Sequence, residues 1–229
     1  MPTIAKLYLH DAATSNTGTM PSGAFVNTGS GASTDATGDA AGARTARSAN
    51  DVIGTLQTSA TFTSNADQLA QSWGYRRFVS APLAAHTFAA ADGNWTFSYA
   101  RAENNLLHNQ AVECIVSFWR PGTGAVVGGA SNFPNFGGTE PASASTETTE
   151  SLTTISGAIT IIDGDIMVIE VSDLFTQGMS TAYTSTFYYD GTTEASATSC
   201  ASFVTPPAAL TLFVASIGTP NVNMAPQRA

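Results

Sequence analysis

Hydrophobic and polar residues alternate along Asn94 to Ala102, NWTFSYARA. Trp95, Phe97 and Tyr99 fall on one face, and Thr96, Ser98 and Ala100 on the other. A repeat of two is the mark of a half-buried strand. Gln110 to Arg120, QAVECIVSFWR, repeats it with Val112, Cys114, Val116 and Phe118 on one face. The loop Pro121 to Gly124, PGTG, then leads into Ala125 to Gly128, which predicts a β-hairpin.

Leu152 to Ile162 and Asp165 to Val171 flank the turn signal Asp163-Gly164 and predict a second strand pair. Ala182 to Tyr189 ends at Asp190-Gly191, a dipeptide suited to the positive φ of a tight hairpin turn. Ser199 to Val204 follows and stops before Pro206-Pro207. Thr3 to Leu9, Ile53 to Thr63, Tyr75 to Ser80 and Ala85 to Ala89 read as further strands, with Pro82 marking a break or an edge. Asn65 to Ser72 suits one or two helical turns, and Ala208 to Ile217 a last strand. About ten short strands between Gly, Pro and Asn turns, without an amphipathic helix of three turns, predict an all-β fold, a β-sandwich of jelly-roll type.

Two stretches lack the pattern. Residues 11–50 hold Gly, Ala, Ser, Thr, Asn and Asp, with few large apolar groups beyond Met20, Phe25 and Val26. Such a stretch buries too little apolar area to offset the entropy of ordering it. It reads as an extended N-terminal arm that needs a holder, either a neighbouring subunit or its own domain. The predicted organisation is therefore an N-terminal strand and arm over residues 1–50 and a sandwich domain over 51–229. Residues 129–150 form the second poor stretch and read as a surface excursion.

Composition sharpens this. Hydrophobic residues make up 43% of the 229, enough for a core, but charged residues only 11%. About 25% is usual for soluble domains. Lys6 is the one lysine, beside seven arginines, and the net charge is -9. Nucleic acid and anionic membrane both call for a basic surface, so neither is an expected partner. A surface so poor in charge suits a subunit buried among neighbours, or a secreted adhesin-like or sugar-binding domain. The start MPTIAK has no apolar region behind a basic one, so no signal peptide is expected. No run of ~18 apolar residues predicts a membrane-spanning helix.

Candidate chemistry is thin. His10, His86 and His108 have no ligand-type partner at metal-binding spacing, and His10 and Asp11, as neighbours in a strand, point to opposite faces. No GxSxG elbow, GxxxxGK[ST] or GxGxxG motif occurs. Asp163, Asp165 and Glu170 cluster around a predicted hairpin, but the two aspartates are better explained as turn residues. Asp35, Asp39 and Asp51 are spread along the arm without a calcium-loop pattern. Cys114 and Cys200 form no metal motif and read as buried thiols. The sequence thus assigns no catalytic residue, cofactor-binding residue or metal ligand. For sugar stacking, the available rings are Trp73, Trp95, Trp119, Tyr188 and Tyr189. Most of them read as core. Trp119, facing away from Phe118 beside the Arg120 turn, is the ring expected at the surface.

Several stretches, in order, are familiar: KLYLHDA from Lys6, GTLQTS from Gly54, RFVSAPL from Arg77, FWRPGTGAVVG from Phe118, GDIMVIEV from Gly164, TFYYDGTTE from Thr186 and ASFVTPP from Ala201. Together they resemble a family of uncharacterised β-rich proteins of tailed-phage genomes and environmental viral sequence. Most of the chain is covered; the arm and residues 129–150 depart most. The resemblance implies a virion structural protein and carries over no functional residue. The expectation is a capsid decoration or cement protein that bridges neighbouring shell subunits. Its partners would be the major capsid protein or other virion proteins, and it would be a homo-oligomer, with a trimer suiting icosahedral three-fold positions. The alternatives are a tail, neck or fibre component, and a carbohydrate-binding module for host attachment. An enzyme is not expected.

Overall fold

The computed structural model describes residues 3–13, 47–50, 52–63, 72–105, 110–128, 135–137, 146–152, 157–175, 184–194, 196 and 198–214. In chain order the first strands are β1 (Thr3–Ile4), β2 (Leu7–Ala13), β3 (Arg47–Asn50), β4 (Thr58–Thr63), β5 (Ser72–Ser80) and β6 (His86–Phe88). A single 3-10 turn, Ala90–Asp92, precedes β7 (Trp95–Glu103) and β8 (Gln110–Arg120). There follow β9 (Ala125–Val127), β10 (Asn135–Gly137), β11 (Thr146–Leu152), β12 (Ile159–Ile161) and β13 (Ile166–Phe175). The last are β14 (Thr184–Tyr189), β15 (Phe203–Thr205) and β16 (Leu210–Thr211). The fold is all-β, and no α-helix occurs among the described residues.

Among the described residues, twelve strands join one mixed sheet. β13 lies between β8 and β5, antiparallel to both, with Ile166 opposite Trp119 and Val168 opposite Val79. β5 then pairs in parallel with β3, from Arg47 opposite Phe78 to Ala49 opposite Ser80. β3 pairs with β2, β2 with β15, and β15 with β7. One edge of β7 takes β11 along its length, while the other is shared by β15 and β14, and β4 pairs with β14. β1 with β16, and β6 with β12, form small separate sheets.

The alternation in the sequence sets the core. Trp95, Phe97 and Tyr99 of β7, Val112 to Phe118 at every second position of β8, Met167, Ile169 and Val171 of β13, and Phe187 and Tyr189 of β14 share one buried cluster. Strands that do not pair meet there. The Trp95 and Phe118 rings lie 6.2 Å apart, and Phe78 of β5 meets Tyr189 edge-on at 5.2 Å. The sheet therefore folds over onto its own apolar face.

Several expectations change. The hairpin of β8 and β9 forms as predicted. The strands flanking Asp163-Gly164 do not pair with each other, because β12 pairs with β6 while β13 is already taken on both edges. Within the predicted excursion 129–150, β10 pairs with β8, and β11 pairs with β7 over its seven residues. Threonine is β-branched and suits a strand without apolar alternation, which is why β11, TETTESL, was not predicted. The two ends of the predicted arm also lie in the sheet. β2 runs on to Ala13, and Ala13 stands opposite Arg47. Residues 14–46 lie outside the described residues, as do residues 65–71 of the helical turns predicted over Asn65 to Ser72, while Ser72 itself begins β5.

Candidate functional site

Lys6, just before β2, and Tyr8 and His10 within it alternate with Leu7 and Leu9. The two leucines are fully buried in the core. The polar series meets the chain that leaves β14 at Asp190. Asp190 has a φ of 61°, the left-handed region that Asp tolerates better than most residues. At Gly191 a Cβ atom would stand 1.9 Å from the Ser199 carbonyl oxygen, and at Gly54 one would stand 2.2 Å from the Asp190 carbonyl oxygen. Glycine is needed at both places because backbones touch there. The Gly191 N–H donates to Cys200 O at 2.9 Å, and Thr193 and Ala201 close the same loop. The Gln57 amide, oriented to donate to Thr198 O at 2.6 Å and accept from Cys200 N at 2.9 Å, holds it from the side.

Asp190 is the centre of the site. Its Oδ1 lies 2.7 Å from His10 Nδ1, and its Oδ2 accepts the Asp11 N–H at 3.0 Å. Its own N–H donates to Leu9 O at 3.0 Å. Tyr189 donates its hydroxyl to Asp11 Oδ1 at 2.8 Å. A neutral His10 carries its proton on Nδ1, facing the carboxylate. Its Nε2 is buried and has no hydrogen-bond partner among the described residues.

A few residues on, Glu194 binds the other two members of the polar series. Lys6 Nζ lies 2.6 Å from Oε2, and the Tyr8 hydroxyl donates to Oε1. Lys6 also sits 4.7 Å over the Phe203 ring. The Lys6 and Tyr8 hydrogen bonds hold the Glu194 carboxyl below the usual carboxylate range. Burial, and then the bond to Glu194, push the Tyr8 phenol up to about 12.

These residues fasten β2 to the 189–202 segment. His10, Asp11, Asp190 and Glu194 converge around the Asp190-Gly191 turn, a grouping that no local motif announces. Activating a nucleophile through His10 requires a hydroxyl or thiol at Nε2. None of the described residues places one there.

The other candidates fall elsewhere. Glu170 is buried against Arg77, whose Nε and Nη2 donate to Oε1 at 3.1 and 3.0 Å. Asp165 takes a two-pronged bond from Arg120, both at 3.0 Å, and the Ile162 N–H. Asp163 accepts the Ala85 N–H at 2.8 Å. The three carboxylates thus serve separate fastenings. Trp119 is 7% exposed and donates its indole N–H to Ser117 Oγ at 2.8 Å, so it is not the surface ring expected. It packs on a second buried face with Val79, Ile166 and Val168. Trp95 and Tyr189 are core, and Tyr188 is half-buried. His86 packs edge-on against Phe88 at 4.5 Å. Cys114 and Cys200 are buried and not bonded to each other. No group of three His, Cys, Asp or Glu residues fit to hold a metal occurs among the described residues. His108, Asp35, Asp39, Asp51 and the Trp73 side chain lie outside them.

No protein-family model and no curated protein matches the chain. Among solved structures it is similar to the crystal structure of a CocE/NonD family hydrolase from Staphylococcus aureus, with 9% identity and a TM-score of 0.36. The match covers 69% of this chain and 34% of that one, so the chain spans about a third of that protein's length. A likeness this slight bears on neither fold nor activity.

Proposed function

We propose that this chain is a virion structural protein, a capsid decoration or cement protein, that acts by contact with neighbouring subunits and transforms no substrate. The finer description of its fold, a β-sandwich of jelly-roll type, belongs to the same proposal. What supports that description is the folding of the sheet onto one core, with Trp95 of β7 against Phe118 of β8.

The observation that carries the functional reading is the pairing of Ala13 with Arg47. Residues 14–46, poor in large apolar groups, leave and return at one point of the sheet. β2, which leads into them, is stapled beneath by Asp190 and Glu194. A segment of this composition between two strands that pair with each other is suited to lie on a neighbour. Burying roughly 1,000 Å² or more gives a stable joint. Repetition over a shell then adds avidity. The glycan-binding alternative loses its leading ring, since Trp119 is buried.

The test replaces residues 14–46 with a short Gly/Ser linker. The variant is expected to keep its circular dichroism and urea midpoint and to be lost from purified particles. Unfolding of the variant, or incorporation at the wild-type level, overturns the proposal. Densitometry of intact particles separates the alternatives. Decoration requires copy numbers comparable with the shell protein, and a tail, neck or fibre part only a few.

A further inference from the structure

The chain contains three Asp-Gly steps: Asp92-Gly93, Asp163-Gly164 and Asp190-Gly191. Asp-Gly is the aspartyl sequence most open to isomerisation, because glycine puts no side chain in the way of its own nitrogen. The structure separates the three. The Gly164 N–H donates to Leu83 O at 2.9 Å, and the Gly191 N–H to Cys200 O at 2.9 Å. Their aspartates are also held, Asp163 by the Ala85 N–H and Asp190 by His10 and the Asp11 N–H. Gly93 differs. Its N–H makes no hydrogen bond beyond the local 3-10 turn Ala90–Asp92 among the described residues. Asp92 and Gly93 are both exposed, and the nearest atom to a Cβ built on Gly93 is Pro207 Cβ at 4.0 Å. The Asp92 carboxylate has one fastening, the Ala89 N–H at 2.6 Å.

We propose that Asp92-Gly93 is a site of spontaneous isoaspartate formation, and so a substrate for enzymes that methylate isoaspartyl carboxylates. The Gly93 nitrogen attacks Asp92 Cγ and loses its proton as a C–N bond forms. The carboxyl oxygen leaves as water, closing a five-membered succinimide. Water then adds to one of the two ring carbonyls. Opening at the α-carbonyl leaves the chain running through Cβ and Cγ, with the α-carboxylate as the new side group. One water leaves and one returns, so the mass is unchanged and no other reactant is needed.

The product adds one methylene to the backbone and moves the carboxylate away from the Ala89 N–H. The affected turn joins Phe88 to Trp95, whose rings lie 5.1 Å apart in the core. Isomerisation therefore loosens a connection at the edge of the packed region, as a slow function of age.

The full chain is incubated at neutral pH and physiological temperature. It is then mapped by peptide mass spectrometry with Asp-N digestion, since that protease does not cut at isoaspartate. Residue 92 is expected to accumulate isoaspartate at least about tenfold faster than residues 163 and 190, whose glycine N–H groups must first open. In denaturant the three rates are expected to converge. Labelling with an isoaspartyl methyltransferase is expected to fall to background in Asp92→Glu, whose longer side chain closes the ring far more slowly. Equal native rates at the three steps, a faster step at 163 or 190, or undiminished labelling of Asp92→Glu overturns the proposal.

Discussion

Asp163-Gly164 and Asp190-Gly191 are the same dipeptide at the end of a strand, and they do different work. At the first, the positive φ falls on the glycine, 93° at Gly164, with no atom within 4 Å of a Cβ built there. Asp163 lies at the surface and fastens one backbone N–H. At the second, the positive φ falls on the aspartate, and Gly191 is present because Ser199 crowds it. Asp190 turns inward and binds His10 and the Asp11 N–H. One glycine serves a backbone angle and the other serves a close approach. The dipeptide is a turn in one place and the hub of a clamp in the other.

The sharpest way to break this comparison is to give both glycines a methyl group. Gly191→Ala drives a Cβ into the backbone of Ser199, which no rotamer change relieves, and is expected to cost about 3 kcal/mol, the upper end for overpacking. Gly164→Ala meets open space and only the strain of a left-handed alanine, about 1–2 kcal/mol. Urea midpoints of the two variants check the order. Equal losses would mean that the 191–200 loop moves aside freely and that the clamp is not rigid.

Removing the carboxylates tests the other half. Asp190→Ala leaves the buried His10 and the Asp11 N–H without their acceptor, with an expected loss of about 2–3 kcal/mol. Asp163→Ala removes one exposed hydrogen bond, with an expected loss under about 1 kcal/mol. A loss at Asp163 as large as at Asp190 would refute the assignment of the clamp.

Why one Asp-Gly was legible and the other was not follows from how each is built. The turn at Gly164 is local, and the sequence carries it. The contacts of Asp190 join residues 180 positions apart, so no local pattern announces them. One signal was present: Lys6, Tyr8 and His10 alternate with Leu7 and Leu9, a polar stripe on a strand whose other face is core. β7, β8, β13 and β14 were legible because one face of each alternates into a single core. Trp119 was misplaced because the rule assumes that the second face is wet. β13 is buried on both faces from Ile166 to Val171, and Trp119 shares its outer face with Ile166 and Val168. A strand buried twice loses the alternation that tells inside from outside.

The smallest expected effect lies at the far end of the clamp and distinguishes the two regions by pH. The folded protein holds Glu194 below its ordinary carboxylate range, through Lys6 and then Tyr8. A group depressed on folding stabilises fully above its unfolded pKa, about 4.3. That contribution is lost as pH falls through the lower folded value. The Tyr8 phenol moves the other way, raised to about 12 from 10.0. Its contribution is complete below pH 10 and disappears as pH rises toward 12. The Lys6 and Glu194 side chains are both more than a third exposed, so solvent screening holds the acid limb under about 1 kcal/mol. Glu194→Gln is therefore expected to flatten the acid side of the wild-type stability profile and to lower the alkaline limb. Tyr8→Phe is expected to remove that alkaline limb and to leave most of the Lys6 contribution on the acid side. Asp163→Ala is expected to change neither limb through Glu194 or Tyr8, since it touches neither residue. Urea midpoints measured from acid to alkaline pH for the three variants give the comparison directly. A Tyr8→Phe profile that tracks wild type above pH 10 would show that the phenol has no stake in the clamp and that Lys6 alone holds Glu194.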